Sequence, residues 1–114
     1  MKIENFETII SWQKSTQLAV LVYTILKDNK DCGFKDQIQR AAVSIGNNIA
    51  EGYERHSNKE FKQFLYIAKG SAGEVRSMLY IAKELGYISA KDFENMYNLS
   101  IEICRLISGL IKTL

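Results

Sequence analysis

The chain of 114 residues contains no proline, only one histidine and only two cysteines. It has no internal repeat and no low-complexity tract that could act as a linker, so we predict a single domain over residues 1–114. The lone histidine, His56, excludes the paired Glu-x-x-His motifs of a di-iron helical bundle, because Tyr53 stands three residues before it. Cys32 and Cys104 lie too far apart to complete a zinc site with it, and we interpret both as free thiols.

Catalytic motifs are also missing. Nothing in the sequence orients His56 as the base of a nucleophile. The run Gly70-Ser71-Ala72-Gly73 lacks the lysine and the strand-loop-helix setting of a phosphate-binding loop. We therefore predict that the protein is not an enzyme and that it uses no metal, cofactor or small-molecule substrate.

Long apolar segments are absent as well. The start of the chain, Met1–Asn5, carries no signal segment, and the longest apolar run, Leu18 to Tyr23, is too short to span a bilayer. We therefore expect a cytoplasmic protein with no membrane partner. A formal net charge of +2 is too small to indicate a nucleic-acid partner by itself, so any evidence for such a partner must come from the positions of the charges.

What the sequence does contain is the apolar spacing of four helices. Hydrophobic residues make up 46% of the chain and charged residues 25%, as in ordinary globular proteins. Asn5, the Ser57/Glu60 capping box and Ser89 can start helices, and Gly86 can end one. The predicted helices run from near Asn5 to Lys27, from after the loop Asp28–Gly33 to about Arg55, from Asn58 to about Leu85, and from Ser89 nearly to Leu114. Three short connections predict an antiparallel up-down four-helix bundle.

Two segments rich in small residues, Arg40–Gly52 and Ala68–Gly73, are predicted to pack against each other. Glycine inside a helix costs about 1 kcal/mol relative to alanine, so we interpret Gly46 and Gly70 as positions of tight helix contact. The polar residues of these helices include Asn48, Glu51 and Glu74. We expect these three to form a buried polar cluster that fixes the helix register.

These two segments also carry a family resemblance. The strings at residues 37–45, 48–52 and 64–74 resemble motifs of the four helix bundle protein family, also called the 23S ribosomal RNA intervening-sequence protein family. The match extends from about Phe6 to Ile88. It implies a short up-down bundle, assembled in several members as a ring-shaped pentamer, and a relationship to the accessory protein of diversity-generating retroelements, which binds nucleic acid.

The chain departs from the family pattern at two places. Members usually have Phe-Pro near the end of the first loop, and often a second basic residue before the Arg-Ala-Ala step. This sequence has no proline, and Gln39 stands before Arg40. Its basic surface is therefore diluted relative to the family.

Helix 3 carries the pattern that points most directly to function. Basic residues recur every seven positions, and tyrosines follow three of them by four positions, so they share one flank with a drift of only about 20° per step. Cations neutralise phosphates, and tyrosines offer faces on which bases stack. We predict nucleic-acid binding without base-specific readout by Arg40, Arg55, Lys59, Lys62, Tyr66, Lys69, Arg76, Tyr80 and Lys83. An ordinary solvated face, with lysine stems over half-buried tyrosines, is the alternative interpretation.

Helix 4 carries a signal for self-association. Its apolar residues sweep roughly 220° of the helical wheel, about twice the arc of a helix with one buried face. We predict a homo-oligomer whose interface includes Leu99, Ile103, Leu106 and Leu110, with a loosely packed monomer as the alternative. The resemblance suggests a pentamer. The alternative function is a scaffold that recruits a partner protein, such as a nucleic-acid enzyme, without contacting nucleic acid itself.

Overall fold

The computed structural model describes residues 2–114, which form a short 3-10 turn followed by four helices. The turn is Phe6–Thr8, and the helices are α1 (Ile10–Leu26), α2 (Cys32–Glu54), α3 (Asn58–Glu84) and α4 (Ala90–Lys112). Helix α1 packs against α2 and α4, and α3 packs against the same two helices. The resulting bundle measures 43 × 22 × 19 Å. The all-α, four-helix prediction is confirmed.

One hydrophobic core runs along the axis of the bundle. Each helix places every third or fourth residue on its inner face, as the 3.6-residue period requires. The large side chains with the least exposure come from all four helices: Leu18, Val22 and Leu26 of α1, Ile38, Ile45 and Ile49 of α2, Leu65, Val75 and Leu79 of α3, and Met96, Ile103 and Ile107 of α4.

Side-chain caps start the last three helices. The amides of Phe34, Glu60 and Asp92 donate to Asp31, Ser57 and Ser89 over 3.1, 3.3 and 3.0 Å. The predicted caps at Ser57 and Ser89 are therefore confirmed, as is Gly86, which follows α3 in the left-handed region with φ +73°. Only half of the predicted capping box forms, because the Glu60 carboxylate lies 3.5 Å from Arg55 Nη1.

The start of α1 differs from the prediction. Asn5 makes no side-chain capping bond, and it precedes only the 3-10 turn. The backbone at Ile9 is extended (φ −75°, ψ 120°), which separates the turn from α1. The helix therefore begins at Ile10, where the apolar spacing alone does not mark a boundary.

Helices α2 and α3 make the most extensive contact in the bundle, and the predicted pairing of their small-residue segments is confirmed. The hydroxyls of Ser44 and Ser71 lie 3.0 Å apart across the contact. Gln37 Nε2 donates to Glu74 Oε2 over 3.3 Å at another level of the same helix pair.

The glycine that permits this close approach is Gly52, the last residue of the segment Arg40–Gly52. A Cβ added at Gly52 would lie 2.5 Å from Phe64 Cβ. The interpretation of the other two glycines was wrong. A Cβ at Gly70 would meet nothing within 4 Å, and one at Gly46 would make an ordinary 3.5 Å contact with Trp12 of α1.

A hydrogen bond joins the loops at one end of the bundle. Tyr87, in the connection between α3 and α4, donates its hydroxyl to Asp31 Oδ2 over 2.7 Å and packs edge-on against Phe34. The bond from Tyr87, together with that from the Phe34 amide, lowers the pKa of Asp31. The same bond raises the pKa of Tyr87.

Candidate nucleic-acid interface

The basic column of α3 lies along its boundary with α4. Arg76 Nη1 is 3.4 Å from Cys104 Sγ, and Lys83 Nζ lies 4.6 Å from the centre of the Phe93 ring. We call this surface the α3–α4 face; on α3 it comprises Lys62, Tyr66, Lys69, Gly73, Arg76, Tyr80 and Lys83. The structure therefore gathers the column on one side of the bundle, as the seven-residue spacing predicts.

The cations of this face have no carboxylate partners within residues 2–114. The ion pairs there involve only Lys14 with Glu102 and Arg55 with Glu51 and Glu60. Lys69 and Lys83 are exposed, while Lys62 and Arg76 are half-buried. Their positive charges are thus not neutralised by neighbouring side chains.

An aromatic cluster supports one end of the face. Tyr80 packs against Phe93 and Tyr97 of α4 with centroid distances of 5.2 and 5.6 Å. The hydroxyl of Tyr97 raises the pKa of Tyr80 above its usual 10.0. Neither Phe93 nor Tyr97 belongs to the site residues predicted from the sequence. Their spacing of four residues, opposite the tyrosines of α3, was the signal for this cluster.

The other end of the face is a shallow hollow of about 410 Å³. It is lined by Asn58, Lys59, Lys62, Gln63, Tyr66 and Leu114. Lys59 therefore extends the column, as the sequence predicts. Leu114, the last residue of the chain, brings the end of the α4 segment against this hollow.

Arg55 and Arg40 differ from the rest of the predicted set. The Arg55 guanidinium lies within 3.3 Å of Glu51 and 3.5 Å of Glu60, and it covers the Phe64 ring at 5.1 Å. Arg40 lines a separate groove of about 310 Å³ with residues of α1 and α2, among them Tyr23. The structure therefore does not bring Arg40 to the α3–α4 face, and it leaves Arg55 largely neutralised.

The predicted polar cluster is not formed as one unit. Asn48 Nδ2 donates to the Ser44 hydroxyl over 2.9 Å and belongs to the Ser44–Ser71 contact. Glu51 and Glu74 are exposed and bind Arg55 and Gln37 instead. Charged carboxylates keep their hydration at the surface, and burying two of them without cations would be costly.

The predicted oligomer residues fall into two groups. Ile103 has 0% exposure in the core of the single chain, so it is unavailable to a second copy and that assignment was wrong. Leu99, Leu106 and Leu110 are half-buried, and they stay a prediction. Leu106 and Leu110 line an open, mainly apolar groove of about 440 Å³ between the start of α1 and the end of α4.

Within residues 2–114, no three side chains of His, Cys, Asp or Glu come together as metal ligands. None of the helices in that range combines the length and apolar character that a membrane span requires.

Comparison with known families identifies the fold. A family described as the 23S rRNA-intervening sequence protein matches residues 7–109. The chain belongs to this family. A solved crystal structure from the family described as S23 ribosomal proteins, a protein of unknown function from Bacteroides thetaiotaomicron VPI-5482, has 32% sequence identity and a TM-score of 0.83. The match covers 90% of this chain and 98% of that one.

No curated protein matches this member of the 23S rRNA-intervening sequence family. The resemblance predicted from the sequence is confirmed for family and fold. Since the similar crystal structure is of a protein with unknown function, the functional argument rests on the surface of this chain.

Proposed function

We propose that this protein is a non-enzymatic module that binds nucleic acid through its α3–α4 face, by phosphate contacts without base-specific readout. The observation that carries the proposal is the row of Lys62, Lys69, Arg76 and Lys83, which has no carboxylate partner within residues 2–114. A row of unpaired cations attracts a polyanion and releases its counterions. The family name, which refers to a ribosomal RNA sequence, agrees with this ligand class.

We further propose that the helices run antiparallel in up-down order and that copies assemble into a ring-shaped homo-oligomer, the pentamer that the family resemblance implies. The pairing of Gln37 with Glu74 and of Ser44 with Ser71 supports the antiparallel order. The apolar groove at Leu106 and Leu110 supports an interface. A monomer by light scattering at micromolar concentration would contradict the ring.

The experiment that tests binding replaces Lys62, Lys69 and Arg76 together by glutamine. Surface substitutions usually change stability by less than about 0.5 kcal/mol each, so the variant should fold. Its affinity for nucleic acid should fall, and the slope of log affinity against log salt should shrink by up to about three for each subunit engaged. In a ring the loss would be amplified, because several weak sites act on one polyanion.

Filter binding on structured RNA, duplex DNA and single strands at two salt concentrations provides the measurement. The matched control replaces Lys27, Lys30 and Lys35 by glutamine, which removes the same charge near the connection between α1 and α2. Retention of no nucleic acid by the native protein at low salt would contradict the proposal. If the native protein and the α3 variant have equal salt slopes, the phosphate contacts lie at other residues, and Arg40 is then the first candidate.

The apolar groove between α1 and α4 favours a second candidate function, a scaffold that recruits a partner protein. Ile10 at this groove is 49% exposed, and Leu106 and Leu110 add apolar surface. An apolar protein interface should be nearly insensitive to salt, whereas phosphate binding weakens steeply as salt rises. The same two salt concentrations therefore separate the two functions.

A further inference from the structure

Tyr80 is an exposed aromatic residue whose ring is braced, that is, held in place, by aromatic side chains of α4. Its side chain is 51% exposed, yet the ring contacts Phe93 and Tyr97 at centroid distances of 5.2 and 5.6 Å. Those two rings stack on each other at 5.4 Å with an angle of 25° between their planes. The position of Tyr80 is thus fixed by contacts from a second helix, while half of its surface faces solvent.

Two positive charges flank this ring on the same side of α3. Arg76 precedes Tyr80 by one helical turn and Lys83 follows it by one turn, so all three share a flank. Each cation also touches α4: Arg76 contacts the Cys104 sulfur at 3.4 Å, and Lys83 covers the Phe93 ring at 4.6 Å. The arrangement presents a flat ring between two positioned cations.

We propose that the α3–α4 face takes single-stranded nucleic acid, with an unpaired base stacked on Tyr80 and neighbouring phosphates at Arg76 and Lys83. This inference rests on the proposed function and names its ligand class. Cations alone would suit any polyanion, including a duplex. An aromatic ring adds binding energy only when a base offers a free face, and in a duplex both faces of each base are covered by its neighbours.

The bracing makes Tyr80 the principal stacking position. A side chain that is already held in place loses less conformational entropy when a ligand binds. Tyr66 is 57% exposed and takes part in none of the ring–ring contacts within residues 2–114. We therefore expect the substitution of Tyr66 to weaken binding less than the same substitution of Tyr80.

The test uses fluorescence anisotropy with labelled strands at low salt. The column from Lys62 to Lys83 spans about 32 Å at 1.5 Å per residue, so strands of about 12 nucleotides can follow it. Four probes are needed: a thymidine DNA strand, a uridine RNA strand, a DNA duplex of the same length, and a DNA strand whose central nucleotides lack their bases (the abasic strand). The native protein should bind both single strands more tightly than the duplex and the abasic strand.

The variants separate stacking from charge. Tyr80→Leu should weaken binding of the single strands by roughly fivefold or more, while Tyr80→Phe should bind like the native protein because it keeps the ring. The abasic strand should bind Tyr80→Leu almost as well as it binds the native protein, because its central nucleotides have no base to stack. Tyr23→Leu is the matched control, because Tyr23 is also about half exposed, at 47%, and lies on α1. Thermal melts by circular dichroism verify that the variants fold. The comparison of abasic and normal strands can also be made with the native protein alone, so it does not depend on the folding of any variant.

Different results overturn different claims. Native affinity in Tyr80→Leu, or equal native affinity for duplex, abasic and normal strands, would overturn the stacking inference while leaving phosphate binding intact. A protein that retains none of the four probes would overturn the proposed function itself. Tighter binding of uridine RNA than of thymidine DNA would support the inference and indicate a contact to the 2′-hydroxyl.

Discussion

Helix α3 has two flanks of contrasting construction. Next to α2, the chain comes so close that Gly52 leaves no room for a Cβ, and hydroxyls and amides bond across the contact. Next to α4, the same helix presents half-exposed tyrosines and two cations, Arg76 and Lys83, that contact a thiol and an aromatic ring of α4. The contrast teaches that one flank holds the helix in place, which leaves the other flank free to contact a ligand.

The largest expected effect on stability comes from adding a methyl group where α2 packs against α3. In Gly52→Ala the new Cβ would lie 2.5 Å from Phe64 Cβ, an atom that cannot move without its backbone. Overpacking of this kind costs about 1–3 kcal/mol, and the better helix propensity of alanine offsets part of it. We expect a net loss of roughly 1–2 kcal/mol in urea unfolding. Unchanged stability would mean that the two helices do not approach this closely.

A smaller effect of opposite sign is expected for Gly70→Ala, which is the matched substitution on the open side of α3. The added methyl group meets nothing within 4 Å. Replacing an unconstrained helical glycine by alanine should therefore raise the free energy of unfolding by about 0.5–1 kcal/mol. The same urea titration measures it. A loss of stability would show that Gly70 is covered, for example by a second copy of the chain.

The smallest effect concerns pH and the Asp31–Tyr87 bond. Because the pKa of Asp31 is lowered from 3.8, its contribution is complete above that value and is lost as pH falls through the lower folded pKa. Because the pKa of Tyr87 is raised from 10.0, its contribution is complete below that value and is lost as pH rises through the higher folded pKa. The stability difference between native protein and Tyr87→Phe should thus be greatest between these limits.

Unfolding followed at several pH values gives this difference directly. Asp31 keeps its bond from the Phe34 amide in Tyr87→Phe, so the start of α2 should be unaffected. A difference that stays constant from acid to alkaline pH would rule out the hydrogen bond as its source.

Most of the fold could be predicted from the sequence because local signals coincide. Ser57, Ser89 and Gly86 stand where the apolar period of each helix begins or ends, and all three act as predicted. Asn5 misled because a capping residue cannot show by itself whether a 3-10 turn or a full helix follows. The need for glycine at position 52 could not be predicted, since only the position of Phe64 on a different helix makes the missing Cβ necessary.

The candidate site could be predicted only where it lies on one helix. The seven-residue period of α3 placed Lys62, Lys69 and Arg76 on one flank without knowledge of the neighbours. Apart from the pairing of the small-residue segments of α2 and α3, contacts between helices escaped prediction, because register along a helix pair depends on packing. The neutralisation of Arg55 and the bracing of Tyr80 by Phe93 and Tyr97 both belong to this class.

The short connection between α2 and α3 has a consequence for the order of folding. It spans residues 55–57, with His56 turning the chain at φ 55°, and it joins the two helices with the most extensive contact. Contacts between segments that are near in sequence form with little loss of loop entropy, so they tend to form early. We infer that the α2–α3 pair is the folding nucleus and that α1 and α4 dock onto it later. Substitutions at Ile45 should then slow refolding, whereas those at Ile107 should mainly speed unfolding, as stopped-flow kinetics can measure.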